Sequence, residues 1–177
     1  MTDSLNHFLA ENEGRAFRMA QMATGHSDDA LDIVQEAMLK LVQKYSDREA
    51  AEWGPLFHRI LQRQITDWYR SSSIKQRFFG WLSSNDDELP GSYLEIIEDP
   101  MTRTPDQLLQ NNQAIDVLQS ALQLLPMRQR QAFLLRCWQG LNTEQTASAM
   151  ACSTGSVKTH YHRALTNLRS KLGDTWP

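Results

Sequence analysis

Residues 154–163 hold the densest group of side chains suited to chemistry on a charged polymer. Thr154, Ser156, Lys158, Thr159, His160 and Arg163 all fall in this stretch. Hydroxyls and Lys/Arg near the start of a helix can reach base edges in the major groove of a duplex. A helix N-terminus with an arginine beside it can meet phosphates. Catalytic groups show no such concentration. The histidines are His7, His26, His58, His160 and His162, and none makes a His-x-x-x-His pair. His160 and His162 would point about 200° apart on a helix, too divergent to share a metal. No Cys-x-x-Cys, phosphate loop or nucleophile elbow occurs. The expectation is a non-catalytic chain with no metal and no cofactor.

Presenting that group requires a helix with its polar side outward. Val157, Tyr161, Ala164, Leu165, Leu168 and Leu172 supply an apolar stripe at helical spacing over Thr154–Leu172, and Ser153 is placed to cap it. A shorter helix precedes it, over about Thr143–Ala151. Asn142 is its cap and Gln145 the reciprocal partner three residues on, while Ala147 and Met150 face inward. Two helices joined by a tight turn at Ala151–Ser153, the second bearing small polar and basic residues near its start, read as a helix-turn-helix. The alternative is an ordinary helical hairpin with a solvated face. Upstream, Ile115, Leu118, Leu122 and Leu125 make one stripe ended by Pro126. A further helix runs from about Met127 to Gln139, with Gly140 as its stop.

The first seventy residues are also helical in pattern. From Asp28 to Tyr45, Leu31, Val34, Met38, Leu41 and Tyr45 fall at helical spacing, with Ser27 as the start and Asp28 and Asp29 near the positive end of the dipole. A second stripe, Asp32, Glu36, Leu39 and Gln43, mixes acids with a leucine. It is either a solvated face or a partner surface. Gly54-Pro55 predicts a break before a helix over about Leu56–Arg70, whose inner side is Phe57, Ile60, Leu61, Ile65 and Trp68. Arg59, Arg63 and Arg70 share its opposite side and could follow the phosphates of a single strand. Trp68 and Tyr69 offer either stacking surfaces or core.

Residues 71–111 read as a linker: Ser71-Ser72-Ser73 opens it, Gly80, Pro90, Gly91, Pro100 and Pro105 punctuate it, and Asp86-Asp87-Glu88 charges it. Phe78, Phe79, Trp81 and Leu82 are too apolar for a purely solvated spacer and suggest a short helix. The net charge of -3 is unevenly spread. Residues 1–70 carry 8 Lys/Arg against 11 Asp/Glu, residues 71–111 carry 3 against 7, and residues 112–177 carry 7 against 3. A basic final third fits contact with nucleic acid. No apolar run approaches the ~18 residues of a membrane span, and the polar N-terminus is no secretory signal, so the expected location is the cytoplasm, without membrane insertion. Cys137 and Cys152, among apolar or small neighbours, are expected to be buried thiols. The architecture expected is all-α, with two small helical domains at 1–70 and 112–177 joined by a flexible acidic linker at 71–111.

Taken together, residues 118–172 resemble domain 4 of the extracytoplasmic-function (ECF) sigma factors of bacterial RNA polymerase. The shared pattern is a leucine-rich helix ending in Leu125-Pro126, then Arg128-Gln129-Arg130, an apolar helix, Gly140-Leu141, the turn Ser153-x-Gly155-Ser156-Val157-Lys158 and His162-Arg163-Ala164. One departure is Ala151, where the family usually carries glycine. Residues 28–41 resemble the domain 2 helix of that family, and residues 57–70 more loosely its −10 recognition helix; the family's usual Trp and Asn are absent from the latter. The resemblance implies a factor that binds core polymerase, recognises the −10 and −35 promoter elements and promotes initiation. It implies docking on the β′ clamp helices by Asp32, Gln35, Glu36 and Leu39, and −10 contacts by Arg59, Arg63 and Arg70, with base capture near Ser46–Trp53. It implies −35 contacts by Thr154, Ser156, Lys158, Thr159, His160 and Arg163, with Leu134, Trp138 and Met127–Arg130 in the core or facing the β flap. Asp86–Glu88 would be either a spacer or an occupant of a basic RNA channel. The two-domain layout permits an anti-sigma factor. A free-standing regulator with the same helix-turn-helix would explain residues 140–172 but not Asp28–Leu41.

Overall fold

The computed structural model describes residues 2–82 and 115–173, and among them there is no strand. The first half contains α1 (Thr2–Thr24), α2 (Ser27–Tyr45) and α3 (Ala50–Leu82). Their inner faces repeat at i, i+3 or i+4. Ala16, Met19, Ala20 and Ala23 come from α1, and Ala30, Ile33, Val34, Ala37 and Leu41 from α2. Trp53, Phe57, Leu61 and Ile65 come from α3, and all of these are buried. The many alanines bring α1 and α2 close together. Phe8 fills the end of the bundle, its ring 6.0 Å from that of Trp53 and edge-on to Phe57 at 6.2 Å.

Several expectations are corrected here. Leu31 lies on the outside of α2, 43% exposed. The inner stripe passes instead through Ala30, Ile33 and Ala37, because short side chains suffice where two helices nearly touch. Ser27 starts α2 as expected, its hydroxyl accepting from Gln21 Nε2 at 2.9 Å. Gly54 and Pro55 do not break the chain but lie within α3, which starts at Ala50. Pro55, the sixth residue of α3, lies past the unpaired first N–H groups and forfeits the bond to Ala51 O; the buried Trp53 and Phe57 on either side hold the helix through it. The loop before it is therefore short, and Trp53 is buried with its Nε1 donating to Tyr45 O at 3.2 Å. The helix does not stop at Arg70 but continues through Ser71-Ser72-Ser73 to Leu82. Ser72 and Ser73 turn their hydroxyls back onto the carbonyls of Tyr69 and Arg70, which satisfies them without leaving the helix. Phe78, Phe79, Trp81 and Leu82 lie on its last turns, so they extend this helix rather than form a separate one. Asp86-Asp87-Glu88 and the linker from 83 onward lie outside the described residues.

The second half contains α4 (115–123), α5 (Met127–Phe133), a π-helical turn (Leu134–Trp138), α6 (Thr143–Met150) and α7 (Thr154–Leu172). Pro126 separates α4 from α5. In the π turn Gln139 N donates to Leu134 O, and Gly140 at φ +68 ends it. Leu122, Leu125, Leu134, Leu135, Val157, Ala164 and Leu168 form the core. Cys137, expected inside, is exposed, with its Sγ 3.2 Å from Tyr161 Oη; the extra residue of the π turn shifts it off the inner face.

The halves pack directly on one another, α3 against α6 and α1 against the π turn. The centre of this contact is Arg130, 5% exposed. Its guanidinium donates to Ala23 O, Tyr69 Oη and Gln123 Oε1 through Nη1, and to Gln123 O and Leu125 O through Nη2. None of these acceptors is a carboxylate. The charge is met instead by the carbonyl-bearing ends of α1 and α4, where the helix dipoles are negative. Gln123 Nε2 donates to Met22 O at 2.9 Å, and Gln131 Nε2 to Thr66 Oγ1 at 3.0 Å.

Candidate nucleic-acid and partner interfaces

The helix-turn-helix is built by local caps. Asn142 Oδ1 accepts from Gln145 N at 2.8 Å, and Gln145 Oε1 accepts from Asn142 N at 2.9 Å, the reciprocal box expected from the spacing. Ser153 Oγ accepts from Ser156 N at 3.1 Å and starts α7. Between them Ala151 sits at φ 50, ψ 52, the only non-glycine at positive φ among the described residues. The left-handed region costs an L-residue roughly 1–2 kcal/mol. Cys152 N returns to Ala147 O at 3.0 Å, and Arg128 Nη1 donates to Met150 O at 2.8 Å. A hydrogen bond from a charged donor is worth about 1.5–3 kcal/mol, enough to offset the strain.

On α7 the structure places Thr154, Lys158, Thr159 and Arg163 on the exposed side. Ser156 and His160 are half-buried. Ser156 is also engaged locally, its hydroxyl 2.9 Å from Ser153 Oγ, so it serves the cap. His160 is held below the usual imidazole pKa by burial first, then by the charges of Arg128 and Arg163. It is therefore a neutral hydrogen-bonding group beside two cations. Arg128 is a neighbour the expected set omitted. Its signal was the alternation Arg128-Gln129-Arg130-Gln131, whose first two members serve the helix-turn-helix and whose last two serve the contact between halves. Gln129 Oε1 accepts from Asn167 Nδ2 at 2.8 Å on α7. Arg136, also omitted, lies 5.6 Å over the Tyr161 ring and donates to Leu141 O at 2.6 Å.

In the first half, Asp32, Gln35, Glu36 and Leu39 come together on the exposed side of α2, with Leu39 50% exposed. They border an open groove with Gln64, Asp67, Trp68 and Ser71 of α3. Lys40 pairs with Glu36 at 3.1 Å across one helical turn. Arg59, Arg63 and Arg70 are all exposed along α3, and Arg70 pairs loosely with Asp67 at 3.8 Å. Trp68 is half-buried, 6.0 Å from the His26 ring and edge-on to Tyr69 at 5.1 Å. Tyr69 is spent on Arg130 and Ala23 and is no stacking platform in this arrangement. No helix among the described residues is long and apolar enough to cross a membrane.

Comparisons with known proteins divide the chain in the same way. Residues 8–74 match the family model for sigma-70 region 2, and residues 115–168 match that for sigma-70 region 4. The RNA polymerase sigma-E factor of Streptomyces coelicolor is 26% identical over 166 residues, covering 93% of this chain and 84% of that protein. The ECF RNA polymerase sigma factor SigX of Bacillus subtilis is 26% identical over 143 residues, 80% of this chain and 69% of that one. Among solved structures, the sigma factor RpoE in complex with the anti-sigma factor NepR from Bartonella quintana superposes with a TM-score of 0.65 at 21% identity, over 95% of this chain and 98% of that one. CnrH in complex with the cytosolic domain of CnrY gives 0.61 at 16% identity, over 97% and 89%.

Proposed function

Because the chain belongs to the sigma-70 family, in its ECF group, we propose that its two helical halves divide the work of initiation between them. The protein is a sigma factor: it directs promoter recognition and transcription initiation by RNA polymerase. Its family is one of non-catalytic initiation factors. In the proposed division, Asp32, Gln35, Glu36 and Leu39 dock on the β′ clamp helices, and Arg59, Arg63 and Arg70 follow the −10 strand. Thr154, Lys158, Thr159 and Arg163 read the −35 duplex, with His160 beside them and Ser156 holding the helix start. Met127 and Trp138 face the β flap. The observation that carries this is the exposed polar side of α7, presented by two capped helices whose apolar sides are buried.

The packed arrangement sets a condition on that work. Elements centred near −10 and −35 are about 25 base pairs apart, roughly 85 Å at 3.4 Å per pair. Two halves in direct contact cannot lie on both at once. Engaging a promoter therefore requires them to part, which breaks the bonds of Arg130 to Ala23 and Tyr69 and of Gln131 to Thr66. Residues 83–114 would reach about 105 Å if extended. A factor of this kind works where the chromosome is, in the cytoplasm. One similar solved structure is a complex with the anti-sigma factor NepR and another a complex with the cytosolic domain of CnrY, and the present layout would suit an anti-sigma factor spanning both halves.

The test is a pull-down with purified bacterial core RNA polymerase, followed by run-off transcription from genomic fragments. Stable binding with new, factor-dependent start sites is expected. Tight binding to duplex DNA alone, with none to core, would favour a free-standing regulator instead.

A further inference from the structure

We propose that Arg128 is a positioning residue for promoter recognition: it sets the turn of the helix-turn-helix, and so the angle at which α7 is offered to DNA, without touching DNA itself. The proposal rests on the reading of α7 as the −35 helix.

Ala151 is the strained residue of the turn, at φ 50 and ψ 52. A left-handed residue is needed to reverse the chain between α6 and α7, and alanine is disfavoured there where glycine would not be. The conformation of Ala151 depends on how the peptide joining it to Met150 is rotated, and the carbonyl of that peptide is Met150 O. At the end of α6 this oxygen has no helical partner. Ala147 O and Ser148 O are taken by Cys152 N and Ala151 N. Met150 O is taken by Arg128 Nη1, 2.8 Å away on α5. One cation thus orients the peptide that holds the strained residue, and it stands at the negative end of the α6 dipole. The next residue, Gln129, holds Asn167 farther along α7. A single turn of α5 therefore fixes both the start of the reading helix and a point toward its end. Arg128 is half-buried, with its guanidinium directed at the turn.

Two roles must be separated: an arginine that orients the turn and an arginine that meets a phosphate. A glycine at position 151 distinguishes them, because it removes the need for the first role and leaves the second untouched. The experiment uses holoenzyme assembled with core polymerase and a promoter fragment mapped by its own run-off start site. A matching fragment has the −35 element replaced. The variants are Arg128→Met, Arg128→Lys, Ala151→Gly, the double variant Arg128→Met/Ala151→Gly, and Arg163→Ala as the reference for the reading face. The expected result is an affinity loss of about tenfold for Arg128→Met on the intact fragment, with none on the replaced one and an unchanged salt dependence. The double variant should recover to within about threefold of the parent, and Ala151→Gly alone should match it. Should Arg128→Met fail to fold, Arg128→Lys, which keeps one donor, carries the same comparison with its own Ala151→Gly partner. A loss that Ala151→Gly does not recover, with a salt slope lowered by about one, would make Arg128 a phosphate contact and overturn the proposal. Full binding by Arg128→Met while Arg163→Ala is impaired would overturn it as well. No effect of either would mean that α7 is not the reading helix, a failure of the underlying assignment that removes the proposal with it.

Discussion

Arg130 on α5 donates to the carbonyl oxygen of Ala23, one residue before the end of α1 and 107 positions away in the chain. This bond joins the half that matches sigma-70 region 2 to the half that matches region 4. A guanidinium buried without a carboxylate is ordinarily expensive. Here two helix ends and Tyr69 stand in for one, and the cation lies 5.1 Å from the Tyr69 ring centre.

Replacing Arg130 with Met should therefore loosen the contact between the halves while leaving each half folded. The expected loss is about 2–4 kcal/mol of apparent stability, with a larger radius of gyration by solution scattering. Tyr69→Phe should show a milder version, about 1 kcal/mol. Unchanged scattering in Arg130→Met would remove this residue as the tie.

Reversing Asp32 and Glu36 to Lys should weaken binding to core polymerase at least tenfold, about 1.4 kcal/mol. Both side chains are exposed, so thermal stability should change only slightly, the main cost being repulsion between position 36 and Lys40 one turn on. A fluorescence titration against core enzyme measures the first, and a melting curve the second. Wild-type affinity would take these residues off the docking surface.

Arg163→Ala should reduce holoenzyme binding to promoters that depend on the upstream element by about 1–3 kcal/mol. Promoters lacking that dependence should be spared. Filter binding on paired fragments distinguishes the two, and equal losses on both would point to a general electrostatic role.

Acid should destabilise the folded chain through His58. Burial first, and Arg15 second, hold its imidazole below the ordinary value of 6.5, and it lines a cleft between α3 and α6. The unfolded chain takes up this proton near pH 6.5, while the folded chain resists it. The stability contributed by neutral His58 is thus complete above pH 6.5 and is lost as the pH falls below it. Melting temperatures between pH 7.5 and 5.5 should fall less in His58→Gln than in the parent. Parallel curves would place the acid sensitivity elsewhere.

Asn142→Ala should cost about 1 kcal/mol, because it removes the side-chain oxygen that accepts from Gln145 N and leaves that N–H without its cap. Chemical denaturation checks this, and a change under a few tenths of a kcal/mol would show that water replaces the cap.

What the sequence determined by itself was everything governed by near neighbours. The Asn142–Gln145 box, the Ser153 cap, the stop at Gly140 and the inward side of α7 follow from spacing along one helix, and each appears where spacing put it. So does the exposed stripe Asp32, Glu36, Leu39 and Gln43. Tertiary structure decided what depends on the distance between helices. It turned Leu31 outward and chose alanines for the α1–α2 seam, since only a neighbouring helix makes a small side chain preferable to a large one. It let α3 run through Gly54-Pro55 and the three serines, where packing by Phe57, Leu61 and Ile65 overrides local propensity. It also gave Arg128 and Arg130, two residues apart in one motif, separate tasks: one faces the turn before α7, and the other enters the seam between the halves. No local pattern distinguishes them, because what differs is which distant carbonyl lies within reach of each guanidinium.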